Sequence, residues 1–101
     1  MKIFDLRMHD GSRHFADLPE HYDPIAPEWH RLRAHVEAMP GAVVANFVTD
    51  DITEAWLDWR YRGHHFSANN QHGNWWLFVQ DPACADEIMS EVVTWLAQLL
   101  R

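Results

Sequence analysis

Two parts of the chain repeat their apolar residues at the spacing of an α-helix. In the first part, four apolar residues fall on one helical face: Trp29, Leu32, Val36 and Met39. Prolines just before this pattern suit the first turn of a helix, because their missing N–H has no partner there, and Pro40-Gly41 is a stop signal. The pattern therefore predicts a first helix over residues 24–39.

The second helical pattern occupies residues 82–100. Asp81 and Pro82 are typical of an N-cap and a first helical position. Two adjacent apolar stripes follow, formed by Ile88, Val92, Trp95 and Leu99 and by Met89, Val93, Leu96 and Leu100. An apolar face of this width predicts a helix that packs against a sheet.

Between the two helices, residues 42–80 alternate in the manner of β-strands separated by turns. Four strand-like runs cover residues 42–49, 53–61, 64–69 and 74–80. The segments between them, Asp50-Asp51, Arg62-Gly63 and residues 70–73, are rich in turn-forming residues. We therefore expect an antiparallel meander over residues 42–80.

Two of these turns predict which side chains share a face of the sheet. A two-residue turn at Arg62-Gly63 pairs Trp59 with Phe66, and a four-residue turn at 70–73 pairs Phe66 with Leu77. Both turns place the same residues on the side that the helices should cover: Leu57, Trp59, Tyr61, His64, Phe66, Ala68, Trp75, Leu77 and Val79. The second face then holds aromatic and polar side chains together: Trp56, Asp58, Arg60, His65, Ser67, Asn69, Asn74, Trp76 and Phe78. How residues 42–49 pair with 53–61 stays open, because the length of the turn between them is ambiguous.

Residues 1–23 carry the weakest pattern. Residues 2–8 suit a short first strand, whose place in the sheet stays open, and residues 9–23 are polar and irregular. The predicted fold is therefore α+β, a two-layer sandwich in which two helices cover one face of a four- or five-stranded antiparallel meander, in the order (β)αββββα. A chain of 101 residues fits a single domain over 1–101.

Composition and charge narrow the classes of function. A net charge of -7 argues against nucleic acid and anionic membranes as partners, because both require a basic surface. No run approaches the ~20 apolar residues of a membrane span. Cys84 is the only cysteine, so no internal disulfide forms, and the charged start of the chain does not resemble a signal peptide. We therefore expect a cytoplasmic protein.

The polar residues of the second face are the best candidates for chemistry. Asp58 is expected opposite Ser67, and Arg60 opposite His65. Ser67 and His65 are neighbours on one strand and no tight turn presents the hydroxyl, so a catalytic triad is disfavoured and no catalytic residue is predicted. Arg60 or His65 holding a small anion is the chemical alternative to a simple polar network between strands.

Eight histidines raise the question of a metal site. His64 and His65 are adjacent on a strand and therefore point to opposite faces. His30 and His35 are five residues apart on a helix, and no standard zinc spacing occurs in the chain. Cys84 is interpreted as a small buried apolar residue. The sequence thus predicts no metal and no cofactor.

The aromatic content of the second face leads to a hypothesis about function. Two Trp and a Phe are unusual on the open face of a small sheet and indicate that something covers it: the N-terminal segment, a second subunit or a ligand. We favour a non-enzymatic interaction module that uses this face, or an edge strand, to form a homodimer or to bind another protein, with Trp56, Trp76 and Arg60 as anchors. The alternative is a small-molecule or anion-binding protein, or an enzyme, that uses His65, Arg60 and Asp58.

Overall fold

The computed structural model describes residues 3–18, 28–50, 54–70 and 74–100 of the chain. Within these ranges, six strands form one sheet: β1 (Leu6–Arg7), β2 (Arg13–Leu18), β3 (Val43–Thr49), β4 (Ala55–Tyr61), β5 (His64–Asn69) and β6 (Trp75–Val79). Neighbouring strands are antiparallel, in the order β1-β2-β6-β5-β4-β3. The helices are α1 (Glu28–Glu37) and α2 (Asp86–Ala97), and a 3-10 turn over Gln98–Leu100 follows α2. The predicted α+β fold is confirmed, with six strands in place of four or five.

The N-terminal part of the chain contributes more to the sheet than its sequence predicts. The expectation of an irregular segment over residues 9–23 is wrong for Arg13–Leu18, which form β2 and pair with β6. The register shifts at Phe15, so Phe15 and Ala16 are both buried. Such a bulge breaks the period of two by which a strand is recognised in a sequence. Residues 19–23 lie outside the described residues.

The turn at Arg62-Gly63 joins β4 to β5 as predicted. Both residues have positive φ angles, 50° and 80°, which is the signature of the tight hairpin turn that matches the twist of the strands. The predicted pairing across this turn is confirmed, with Trp59 opposite Phe66.

The predicted pairing of β5 with β6 is wrong by two residues. Phe66 lies opposite Val79 and Ala68 opposite Leu77, so the connection between the strands is longer than the four residues expected from 70–73. A shift of two residues leaves every side chain on its predicted face, because the period of a strand is two.

The pairing of β3 with β4, left open by the sequence, places Phe47 opposite Leu57 and Val48 opposite Trp56. The register shifts at Ala45, which is the extra residue of a second bulge. Phe47 therefore lies on the side of the helices, and Val48 lies on the second face of the sheet.

Both helices pack against the first face of the sheet, as predicted. Helix α1 contacts β3 and β4, and helix α2 contacts β2. Every residue predicted for this face is buried except His64, which is partly exposed. The rings of Trp59 and Phe66 stack with centroids 5.9 Å apart at the centre of this core. Neither helix in the described ranges is long and apolar enough to span a membrane.

The start of the last helix differs from its prediction. Asp81 does not cap the helix, because its carboxylate accepts a hydrogen bond from the Ala83 N–H at 2.9 Å and its carbonyl accepts one from the Cys84 N–H at 3.0 Å. These bonds close a tight turn, and α2 begins only at Asp86, after an extended Ala85. At the other helix, α1 ends at Glu37, two residues before the predicted end, and the predicted start at 24–27 lies outside the described residues.

Candidate functional site

The second face of the sheet, which lies opposite α1 and α2, brings together most of the residues that the sequence singles out. Strand pairing places three predicted residues each on β4 and β5 and two on β6: Trp56, Asp58, Arg60, His65, Ser67, Asn69, Trp76 and Phe78. Asn74 lies at a bend just before β6 and is exposed, so it is outside the strand. Strands β2 and β3 extend this face on either side, with His14 opposite Phe78 and Val48 opposite Trp56.

The N-terminal strands cover one end of the second face. His14 on β2 stacks on the indole of Trp76, with ring centroids 4.5 Å apart, and lies 5.0 Å from the ring of Phe78. The ring of Phe4 packs edge-on against the same imidazole at 4.8 Å. A hydrogen bond of 2.6 Å joins Nε2 of His14 to the Asp17 carboxylate. Trp76 and Phe78 are therefore partly buried by residues of their own chain.

The polar side chains of β4 and β5 on this face are farther apart than those around His14. Nε2 of His65 lies 3.7 Å from Oδ1 of Asp58, and Ser67 lies directly opposite Asp58. Arg60 lies opposite His65 and is exposed. The Ser67 and His65 side chains stand side by side on β5, which is the arrangement that disfavours nucleophilic catalysis.

A hollow of about 340 Å³ opens on this face beside Phe78. It is lined by residues of the sheet and of the turn between β1 and β2: Met8, Asp10, Ser12, His65, Ser67, Asn69, Phe78 and Gln80. A neighbouring hollow of about 430 Å³ lies beyond His65 and includes Arg60 and Asp81. Asp58 lines neither of these two hollows, so the three residues of the anion-binding hypothesis do not meet in one cavity.

Met8, Asp10 and Ser12 form one wall of the hollow, and the sequence did not predict them as site residues. These residues reach the sheet only because β2 pairs with β6, a contact between distant parts of the chain. The local signal is the segment Asp10-Gly11-Ser12, in which Gly11 has a φ of 89°. Turn-forming residues of this kind mark a turn, but they do not reveal what the turn packs against.

The two edges of the sheet differ in length and charge. β1 has only two residues, and its Arg7 pairs with Asp5 at 2.7 Å. β3 has seven residues, Val43–Thr49, none of them charged, and Val43 and Val48 are 65% and 50% exposed. Among the described strands, β3 has a neighbour on one side only, and a long uncharged edge strand of this kind is a template for pairing with another strand.

The other candidates considered from the sequence are the histidines, as metal ligands, and Cys84. In the described part of the chain, no group of three or more His, Cys, Asp or Glu side chains is placed to hold a metal ion, and His21 and His72 lie outside it. Cys84 is buried. Burial, and to a lesser extent the nearby Asp81 carboxylate, raises the pKa of its thiol. A thiol of this kind is a weak nucleophile and packs as a small apolar residue.

Comparison with models of protein families, with curated proteins and with solved structures finds no significant match to this chain.

Proposed function

We propose that this protein is a self-associating interaction module in which two copies meet along the edge strand β3 and the adjoining part of the second face. The observation that carries the proposal is the contrast between the two sheet edges. β1 is short, and its Arg7 forms an ion pair with Asp5. Shortness and charged side chains are two of the features that protect an edge strand from pairing. β3 is long, uncharged and exposes Val43 and Val48.

A second copy of the chain is the occupant that this edge fits. Two β3 strands related by a two-fold axis pair antiparallel, so each supplies the hydrogen-bond partners that the other lacks. The bulge at Ala45 interrupts the regular ladder, and we therefore centre the contact on Val48, beyond the bulge. In this arrangement Val48 lies at the middle of the new strand pair.

The charge distribution supports the same surface. Each copy carries a net charge of -7, so two copies repel each other wherever their carboxylates approach. β3 brings no charged side chain to the contact. On the neighbouring strand β4, Asp58 and Arg60 lie on the second face two residues apart, which gives the adjoining surface both signs of charge.

The experiment compares Val48→Lys with Leu6→Lys. Both substitutions replace an apolar residue that is about half exposed, at 50% for Val48 and 51% for Leu6, and they lie at opposite edges of the sheet. Light scattering over a concentration series near neutral pH should show a dimer for the wild type and for Leu6→Lys. For Val48→Lys the dissociation constant should rise by about tenfold or more, because two ammonium groups are brought together at the contact.

Two results would overturn the proposal. One is a wild type that remains monomeric at every concentration. The other is a dimer that survives Val48→Lys unchanged and dissociates in Leu6→Lys, since association would then use the β1 side. A circular dichroism spectrum of each variant shows whether the sheet is intact.

The second candidate function is the binding of a small anion. It is favoured by the exposed guanidinium of Arg60, which shares a hollow with His65 and Gln80. Binding of inorganic phosphate that is lost in Arg60→Ala and kept in Val48→Lys would support it.

For location we propose the cytoplasm, because a chain with one cysteine forms no internal disulfide.

A further inference from the structure

We propose that the hollow beside Phe78 is a binding site for a neutral, multiply hydroxylated ligand of the size of a sugar ring. This goes beyond self-association, because the hollow is built on β5, β6 and the turn between β1 and β2, away from the β3 edge. Its volume of about 340 Å³ lies within the range of small-ligand sites.

The walls of the hollow are held in place before any ligand binds. Asp10 accepts two hydrogen bonds from Ser12 through one carboxylate oxygen, from the backbone N–H at 2.9 Å and from the hydroxyl at 2.6 Å. The Met8 N–H donates to the Ser12 carbonyl at 2.9 Å and closes the turn. At the far end, the Gln80 N–H donates to the His65 carbonyl at 2.9 Å. A ligand therefore meets a preorganised surface, which lowers the entropic cost of binding.

The polar side chains of the hollow match hydroxyl groups. Ser67 and Gln80 each carry both a donor and an acceptor, as every hydroxyl does. Ser67 reaches the hollow from β5 and Gln80 from the residue that follows β6, so several hydroxyls of one ring can bond at once. Asp10 adds an acceptor, and hydrogen bonds from Ser12 lower the pKa of its carboxyl.

The charges of the residues that line the hollow favour neutral hydroxylated ligands over ionic ones. Among the described residues that line this hollow there is no Lys or Arg, so a phosphate or carboxylate group finds no permanent positive partner there. A cationic ligand finds a single carboxylate, Asp10, whose Oδ1 is already occupied by Ser12. Neutral hydroxyls can bond to Ser67 and Gln80 without bringing a second charge into the hollow.

The apolar part of the lining completes the match. Phe78 forms part of the floor, opposite Ser67 on the neighbouring strand, and Met8 flanks it from the turn. A sugar ring has C–H groups on its faces and hydroxyls around its rim. Its face can therefore lie on the Phe78 ring while its rim bonds to Ser67 and Gln80.

The test titrates the intact protein, labelled with ¹⁵N, with D-glucose, D-galactose and maltose as probes and follows the backbone amides by NMR. We expect saturable shifts of the amides of Ser67, Phe78 and Gln80 with at least one probe. Ser67→Val and Gln80→Ala should each weaken that binding by about tenfold, since each removes hydroxyl contacts. Gln80 is exposed, so its variant should fold even if a change in the sheet does not.

Arg60→Ala is the matched control, because Arg60 lies on the same face but does not line this hollow. It should leave sugar binding unchanged, as should Val48→Lys, which alters only the proposed contact between copies. The proposal is overturned if none of the probes shifts these amides at tens of millimolar. It is also overturned if Ser67→Val and Gln80→Ala bind as the wild type does, or if inorganic phosphate shifts the Ser67 and Phe78 amides at a lower concentration than any of the sugars.

Discussion

His35 and Trp95 cap the C-terminal ends of each other's helices. Nε2 of His35 donates to the carbonyl oxygen of Trp95 at 2.6 Å, and Nε1 of Trp95 donates to the carbonyl oxygen of His35 at 2.8 Å. Their rings stack with centroids 4.8 Å apart. The His35 carbonyl belongs to the last turn of α1, where C=O groups lack intrahelical partners, and the Trp95 carbonyl also accepts a backbone N–H at the C-cap of α2. The pair therefore joins α1 to α2 by two reciprocal hydrogen bonds between their C-terminal ends.

We expect Trp95→Phe to lower the free energy of unfolding by about 1–3 kcal/mol, because the ring stays while the His35 carbonyl loses its donor. Guanidinium unfolding monitored by circular dichroism measures the change. Thr94→Ala, at an exposed neighbouring position, is the control and should stay within about 0.5 kcal/mol of the wild type. Equal effects of the two substitutions would contradict the capping role.

Glu91 should make stability depend on pH in the acidic range. Hydrogen bonds first from the Tyr61 hydroxyl and then from the Arg62 guanidinium hold the pKa of its carboxyl below the ordinary value of 4.5. A pKa that is lowered in the folded state stabilises the protein above about pH 4.5, and that contribution is lost as the pH falls through the folded pKa. Glu91→Gln should flatten the fall in melting temperature between about pH 5 and pH 3. Glu87→Gln, exposed one turn earlier, should keep the slope of the wild type.

Gly63→Ala should destabilise the β4–β5 hairpin through backbone strain alone. Gly63 has a φ of 80°, and a Cβ added there meets no atom within 4 Å. The expected loss is about 1–2 kcal/mol, the cost of a left-handed conformation for an L-residue. Gly63→Asn should lose less, because Asn tolerates this conformation better. The order of the two melting temperatures tests the turn, and a larger loss in Gly63→Asn would contradict it.

Arg13→Met should release the N-terminal strand from the rest of the fold. The buried guanidinium of Arg13 donates two hydrogen bonds to the Phe4 carbonyl, at 3.1 and 2.9 Å. We expect faster hydrogen exchange at residues 4–8 and a loss of about 1.5–3 kcal/mol in stability. Arg7→Met removes an exposed ion pair and should cost no more than about 1 kcal/mol. Unchanged exchange in Arg13→Met would show that other contacts hold this strand.

The sheet could be predicted from the sequence wherever alternation and turn chemistry agree. The two-residue turn at Arg62-Gly63 sets the register of β4 against β5, so their pairing and their faces followed directly. β2 was missed because its bulge at Phe15 places two consecutive residues in the core. A period-two pattern cannot reveal a strand whose period is interrupted.

Some residues of the candidate site could likewise be predicted from the sequence, and others could not. His65, Ser67 and Phe78 could be assigned to one face from local turns alone. Asp10 and Ser12 could not, because they complete the hollow only through the pairing of β2 with β6, which joins the two ends of the chain. Local sequence patterns carry no information about such a distant contact.

The unequal edges of the sheet have a consequence for how large an assembly can become. A sheet with two open edges can add copies without limit and grow into a fibre. In the described part of this chain, β1 is short and charged, and only β3 presents a long uncharged edge. If β3 pairs with its copy about a two-fold axis, as proposed, that edge is occupied, and we expect growth to stop at two chains rather than to continue into a filament.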